Sequence, residues 1–185
     1  MDLKNVHVCP AEIAGILDNR FRRKLQNPET IMGPFVKEGM TVLDLGCGPG
    51  FFSVVLAKLV GASGKVIAVD LQEGMLQKVR NKVQGTKLEK RIILHKCEAD
   101  RIGISEKVDL VNTFYMLHEV PDQKKTLAEI KEILKPDGLL LICEPYLHVS
   151  GRAFKNTISK AEALGFVALE RPEIFFSRAV LMKKS

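Results

Sequence analysis

Short apolar runs alternate with longer segments of helical spacing along most of this chain. Residues 41–45 (Thr-Val-Leu-Asp-Leu) form one such run, bounded by Gly39 and Gly46. Residues 65–69, 91–96, 108–113 and 139–143 repeat the pattern. Runs of this kind read as strands buried on both faces. Between them, residues 51–60, 73–83, 123–134 and 151–164 space their apolar positions as helices do. Residues 99–104 read as loop, and Pro136-Asp-Gly138 as a turn into the fifth strand. Two closing strands are predicted over 166–170 and 174–182, joined only by Arg171, Pro172 and Glu173. A parallel return needs a crossover of roughly a dozen residues, so the last strand is expected to pair antiparallel. The alternation as a whole predicts an α/β fold: seven strands in a mostly parallel sheet, with helices on both faces. Upstream, helical spacing begins at Pro10. A second helix is predicted over 28–36, with Asn27 as its cap and Pro28 in its first turn.

Two parts follow from this pattern. Residues 41–185 carry the sheet, and residues 1–40 form an N-terminal helical segment expected to serve as a lid, all within a single globular domain. With 185 residues the chain can bury a sizeable core without staples. A composition of 46% hydrophobic and 27% charged residues excludes a disordered or fibrous chain. The net charge of +6 permits anionic partners. Aromatic residues are only 6%, without Trp, so a base-stacking platform is not expected and nucleic acid is not the favoured partner. The densest basic cluster is Arg20, Arg22, Arg23 and Lys24. It reads either as a solvated helix face or as a contact for a carboxylate. No run approaches the length of a transmembrane helix, and residues 1–10 lack the apolar stretch of a signal peptide. Cysteines stand at 9, 47, 97 and 143 without a CxxC pair. The expectation is a cytoplasmic protein with reduced thiols.

The sharpest chemistry lies where the first strand turns into a helix, in Val42-Leu-Asp-Leu-Gly-Cys-Gly-Pro-Gly50. Gly46, Gly48 and Gly50 let the backbone approach a ligand closely. The spacing departs from GxGxxG, and no Lys-Ser/Thr pair follows. Neither a nicotinamide dinucleotide loop nor a phosphate-binding P-loop is indicated. Asp70 ends the second strand. A carboxylate there can accept both ribose hydroxyls of an adenosine ligand, or can simply cap the next helix.

Leu43-Asp-Leu-Gly-Cys-Gly-Pro-Gly50 resembles the first motif of class I S-adenosylmethionine-dependent methyltransferases. Val66-Ile-Ala-Val-Asp70, followed by Met75-Leu76, resembles the second. Phe114-Tyr-Met-Leu-His-Glu-Val-Pro-Asp122 and Leu134-Lys-Pro-Asp-Gly-Leu-Leu-Leu-Ile142 match the segments after strand four and into strand five. The chain looks most like the ubiquinone/menaquinone-biosynthesis branch, the methyltransferase type 11-like one, over about residues 40–183. The resemblance implies a Rossmann-like doubly wound sheet and S-adenosylmethionine as cofactor, with S-adenosylhomocysteine as product. It implies that Asp44, Gly46, Cys47, Gly48 and Gly50 surround the methionine part. Asp70 would hold the ribose, with Leu71 and Gln72 beside the adenosine. Cys97, Glu98 and Ala99 would border the adenine, Glu98 standing where the family has Asp. Asn112, Thr113 and Phe114 would lie beneath the transferable methyl.

Methyl transfer from a sulfonium is an in-line displacement, so alignment supplies much of the acceleration. A base is needed only when the acceptor must lose a proton. His118 and Glu119 follow strand four, and Glu144, Tyr146 and His148 follow strand five. His118, Glu144 and His148 are the candidate catalytic residues, with structural hydrogen bonding as the alternative for each. No HExxH or cysteine quartet appears, so no metal is expected. The expected acceptor is a small molecule. The competing readings are an RNA or protein methyltransferase and a non-catalytic S-adenosylmethionine-binding protein. Nothing in the sequence fixes an oligomeric state.

Overall fold

A computed structural model describes residues 24–185 of the protein. Arg20, Arg22, Arg23 and Cys9, and most of the expected lid, therefore lie outside the described residues. Within them, α1 (Pro28–Met32) opens at Asn27, whose side chain accepts the Glu29 N–H at 3.0 Å. The helix is shorter than the predicted 28–36. Gly33 closes it onto the Glu29 carbonyl, and Pro34 has no N–H with which to continue it.

The sheet contains β1 (Thr41–Leu45), β2 (Lys65–Asp70), β3 (Ile92–Lys96), β4 (Val108–Phe114), β5 (Leu134–Pro145), β6 (Phe166–Glu170) and β7 (Ser177–Lys184). Their order is β3-β2-β1-β4-β5-β7-β6, and β7 runs antiparallel to both its neighbours. The expected α/β sheet with an antiparallel last strand is thus the one observed. Four helices cross over: α2 (Ser53–Leu59), α3 (Glu73–Val83), α4 (Gln123–Ile133) and α5 (Gly151–Ala163).

Residues of β1 alternate between two cores. Val42 joins Leu56, Val60 and Val79 on the face of α2 and α3. Leu43 and Leu45 join Leu127, Ile130, Phe154 and Ile158 on the face of α4 and α5. Burial on both faces is why β1 is apolar except at Thr41, where it starts, and at Asp44. The chain leaves β1 towards β2 on one side and returns as β4 on the other. That reversal opens a crevice at the carboxyl ends of β1 and β4, where open α/β sheets bind ligands.

Other boundaries also differ from the sequence reading. The turn at Pro136-Asp-Gly138 is absorbed into a longer β5, as an irregularity in which Asp137 has φ 61° and the β4 register shifts. Lys183 Nζ holds the Asp137 carboxylate at 2.8 Å. The last strand starts at Ser177 instead of 174, because Phe176 has φ 54° and the Ser177 N–H closes a turn on the Ile174 carbonyl. The first crossover helix begins at Ser53, two residues later than expected, because residues 49–52 are turns.

Candidate active site

The glycine loop is held first by backbone. The N–H groups of Gly46 and Cys47 both donate to the Val69 carbonyl at 2.9 Å, tying the loop to the end of β2. Gly46 has φ 72°, and a Cβ there would stand 2.7 Å from Met116 Cβ. Gly48 has φ 53°, and a Cβ there would meet nothing within 4 Å. The first glycine is thus required by packing and conformation, the second by conformation alone. The Gly48 N–H donates to Asp70 Oδ2 at 2.8 Å, and the Gln72 N–H to Oδ1 at 2.9 Å. Each carboxylate oxygen holds one donor and keeps capacity for another. Burial raises the Asp70 pKa, and these N–H groups hold it back.

Beneath the loop, the β1–β4 register sets Asp44 beside Asn112. Asn112 Nδ2 donates to Asp44 Oδ1 at 2.9 Å, and Ser53 Oγ donates to Oδ2 at 2.5 Å. Burial pushes the Asp44 pKa up to about 6 against these two bonds. Asn112 Oδ1 is buried and has no hydrogen-bond partner among the described residues.

A cavity of about 420 Å³ opens over these groups. One wall is Asp70, Leu71, Gln72 and Met75, and another is Cys97, Glu98, Ala99, Arg101 and Ile102. An aromatic series, Phe51, Phe52, Phe114 and Tyr115, forms a third, with successive ring centroids 5.3, 4.4 and 4.5 Å apart. His118, Glu119 and His148 stand at the far end. There His118 Nδ1 and Glu144 Oε2 are 2.5 Å apart, and Glu144 Oε1 accepts the His118 backbone N–H at 3.1 Å. The exposed His148 ring lies 5.9 Å from that of His118. Burial lowers the His118 pKa, but the bond to Glu144 and the charges of Glu144 and Glu119 outweigh it and leave it raised. Burial pushes the Glu119 carboxyl up to about 7.

Comparison with known proteins decides the family. The family described as "Methyltransferase domain" matches residues 36–170, most of the chain. The chain belongs to the methyltransferase-domain family. Demethylmenaquinone methyltransferase of Lactobacillus johnsonii is 40% identical over 110 residues, 59% of this chain and 45% of that protein. A protein of the same name from Bacillus cereus is 32% identical over 123 residues, 66% of this chain and 52% of that one. The chain therefore spans about half the length of the curated relatives it matches. A solved S-adenosylmethionine-dependent methyltransferase from Aquifex aeolicus superposes with a TM-score of 0.87 and 29% identity, over 96% of this chain and all of that one. The resemblance to class I S-adenosylmethionine-dependent methyltransferases is borne out, and S-adenosylmethionine is the cofactor this membership implies.

The methyltransferase cavity fits that cofactor on its own evidence. Asp70 offers spare acceptor capacity to a diol, the open space over Gly48 admits a chain at backbone distance, and Ala99, Ile102, Leu71 and Met75 make an apolar slot for a flat ring. Of the residues singled out from the sequence, Asp44, Gly46, Cys47, Gly48, Asp70, Leu71, Gln72, Cys97, Glu98, Ala99, Phe114, His118 and His148 line the cavity. Gly50, Asn112, Thr113 and Glu144 do not. Gly50 packs towards Val79, Asn112 lies under Asp44, Thr113 Oγ1 donates to the Leu141 carbonyl at 2.9 Å, and Glu144 sits behind His118.

Sequence reasoning did not single out Tyr115. Its φ is 61°, strained for a Tyr, and its hydroxyl lies 2.6 Å from Ser177 Oγ and 2.5 Å from Gln26 Nε2. No sequence signature marks a tyrosine in that conformation. None of Cys47, Cys97 and Cys143 is in a disulfide. Burial raises the pKa of Cys47 well above its ordinary value and that of Cys97 to about 11, so both stay neutral thiols at physiological pH. Among the described residues no helix is long and apolar enough to cross a membrane.

Proposed function

We propose that this chain transfers the methyl group of S-adenosylmethionine to a small, apolar acceptor seated between the aromatic wall and His118. The observation that carries the reading is the Gly48–Asp70 contact, which presents a carboxylate with spare acceptor capacity in the wall of a cavity that is also lined by Phe114. The bound cofactor supplies a methyl on a positively charged sulfur that leaves as a neutral thioether. Asp70 receives the ribose hydroxyls, and Leu71, Gln72, Cys97, Glu98 and Ala99 enclose the adenosine. Asp44, Gly46, Cys47 and Gly48 border the methionine part, with Gly50 and Asn112 fixing the loop and floor from behind. Phe114, backed by Thr113, faces the methyl, where aromatic faces favour a cationic centre. The chain's own contribution is alignment and exclusion of water.

Relatives named demethylmenaquinone methyltransferase support a small-molecule acceptor. The cavity volume and aromatic lining support an apolar one, and neither favours nucleic acid. Residues 1–40 serve as the cover and residues 41–185 as the catalytic domain. In support, Gln26 reaches the cavity rim through Tyr115. Cysteines left out of disulfides among the described residues fit a reducing compartment such as the cytoplasm.

Calorimetric titration with S-adenosylhomocysteine tests the reading. The wild type should bind, and Asp70→Ala should weaken binding by ~100-fold or more, since hydrogen bonds to a charged group contribute about 1.5–3 kcal/mol each. No binding by the wild type at millimolar ligand would sink the proposal. Labelled-methyl transfer into a cell extract would then identify the acceptor.

A further inference from the structure

Glu144 is 1% exposed, a carboxylate at the end of β5 inside the fold. Burying a charge this deeply is costly unless it is paired. Its neighbour across the β5–β7 register is Arg178, an obvious partner, yet that guanidinium turns away. Arg178 stacks 4.1 Å from the Tyr146 ring centroid, and its Nε donates to the Val149 carbonyl. Both Glu144 oxygens go instead to one residue, His118: one to its backbone N–H, the other to Nδ1. A carboxylate acceptor at Nδ1 places the proton there and leaves Nε2 with a lone pair. His118 lines the cavity and Glu144 does not. The side chain that meets a ligand is therefore backed by one that cannot.

Resting on the methyl-transfer reading above, the geometry points to His118 Nε2 as the base that takes a proton from the methyl acceptor, with Glu144 as its positioning residue. The acceptor class follows: a molecule with a weakly acidic hydroxyl, a phenol or an enol, whose oxygen or conjugated carbon becomes nucleophilic on losing that proton. The step balances. The acceptor proton goes to His118 Nε2, the acceptor's electron pair bonds the methyl carbon, and the carbon–sulfur pair returns to sulfur. His118 then releases the proton towards solvent on the side of the exposed His148. Glu144 holds the ring, fixes its tautomer and stabilises the imidazolium, as a carboxylate does behind a catalytic histidine elsewhere. A merely structural tether between the loop after β4 and β5 would need the hydrogen bonds but not a free Nε2.

Long-range proton–nitrogen spectra of the imidazoles, recorded on the full chain with S-adenosylhomocysteine, test this directly, with His118→Gln assigning the signals. Above its titration point His118 should carry its proton on Nδ1. Glu144→Gln should reverse the tautomer, because the amide oxygen still accepts the backbone N–H while the amide nitrogen donates to Nδ1. Initial rates of labelled-methyl transfer into a cell extract should fall by ~100-fold or more in both variants, while S-adenosylhomocysteine affinity stays within about twofold of wild type. The wild-type rate should climb with pH as His118 loses its proton. Glu144, Glu119 and His148 are the titratable groups around it. A wild-type proton on Nε2, which needs no variant to observe, would overturn the proposal. So would rates within about threefold of wild type in both variants. Failure of the wild type to bind S-adenosylhomocysteine would instead overturn the methyl-transfer reading and leave the tautomer result standing.

Discussion

At the β1–β2 end of the cavity, backbone holds the groups that face a ligand. Two loop N–H groups converge on Val69, and two more fix the Asp70 carboxylate. At the β4–β5 end, side chains hold one another. Glu144 fixes His118, while Tyr115, Ser177 and Gln26 share their hydroxyls and amide. The first construction suits a ligand whose shape never varies, because peptide groups have few alternative positions. The second can be retuned residue by residue without rebuilding a turn, as a variable acceptor would require.

The largest test of this contrast lies in two neighbouring glycines. Gly46→Ala drives a Cβ to 2.7 Å from Met116 Cβ and 2.8 Å from its Cγ, at a backbone angle unfavourable for alanine. Strain and overpacking together should cost about 2–4 kcal/mol. Denaturant unfolding of the ligand-free protein measures it. Gly48→Ala meets nothing within 4 Å, so only the conformational cost remains, about 1–2 kcal/mol. Its added methyl faces the cavity, and S-adenosylhomocysteine affinity should drop by more than the stability does. Equal unfolding losses in the two variants would show that Met116 yields, and that side chains as well as backbone shape the β1–β2 end.

The same contrast explains what could be read from the sequence. The glycine loop and Asp70 lie in contiguous residues whose roles follow from backbone conformation and from a place at a strand tip. The helix over 73–83 was equally legible, because Met75, Leu76, Val79 and Val83 are all buried on one face. His118, Glu144 and His148 were visible as polar residues after strands, but their unequal roles were not. His118 and Glu144 are 26 positions apart. Their meeting depends on the β4–β5 register, which pairs Phe114 with Cys143 and so brings Glu144 level with the loop carrying His118. No local pattern states a register between two strands that are buried along most of their length. The placement of Asn112 and Thr113 away from the cavity has the same origin. Their direction depends on the pleat and on which partner accepts each polar group, Asp44 for one and the Leu141 carbonyl for the other.

The smallest effect expected concerns Glu119, which joins the two ends electrostatically. Burial raises its pKa to about 7, the His118 charge opposes that rise, and Asp70 and Glu144 add to it. The folded carboxyl therefore binds its proton more tightly than the unfolded one, whose pKa is near 4.3. Between those two values the folded state carries more protons, so stability must fall as pH rises through the window and level off above about 7. His118, also raised, changes stability in the same direction as pH climbs through its folded pKa. Glu119→Gln removes the carboxyl's share. The variant should melt close to wild type at pH 5 and above it at pH 8. The gain should be about 1 kcal/mol after solvent screening of a partly exposed group, or ~2–4 °C in a chain of this size. Thermal melts at fixed ionic strength provide the comparison. A variant that melts equally far from wild type at both pH values would mean that Glu119 is ionised throughout. The acidic groups at the two ends of the cavity would then be electrostatically independent.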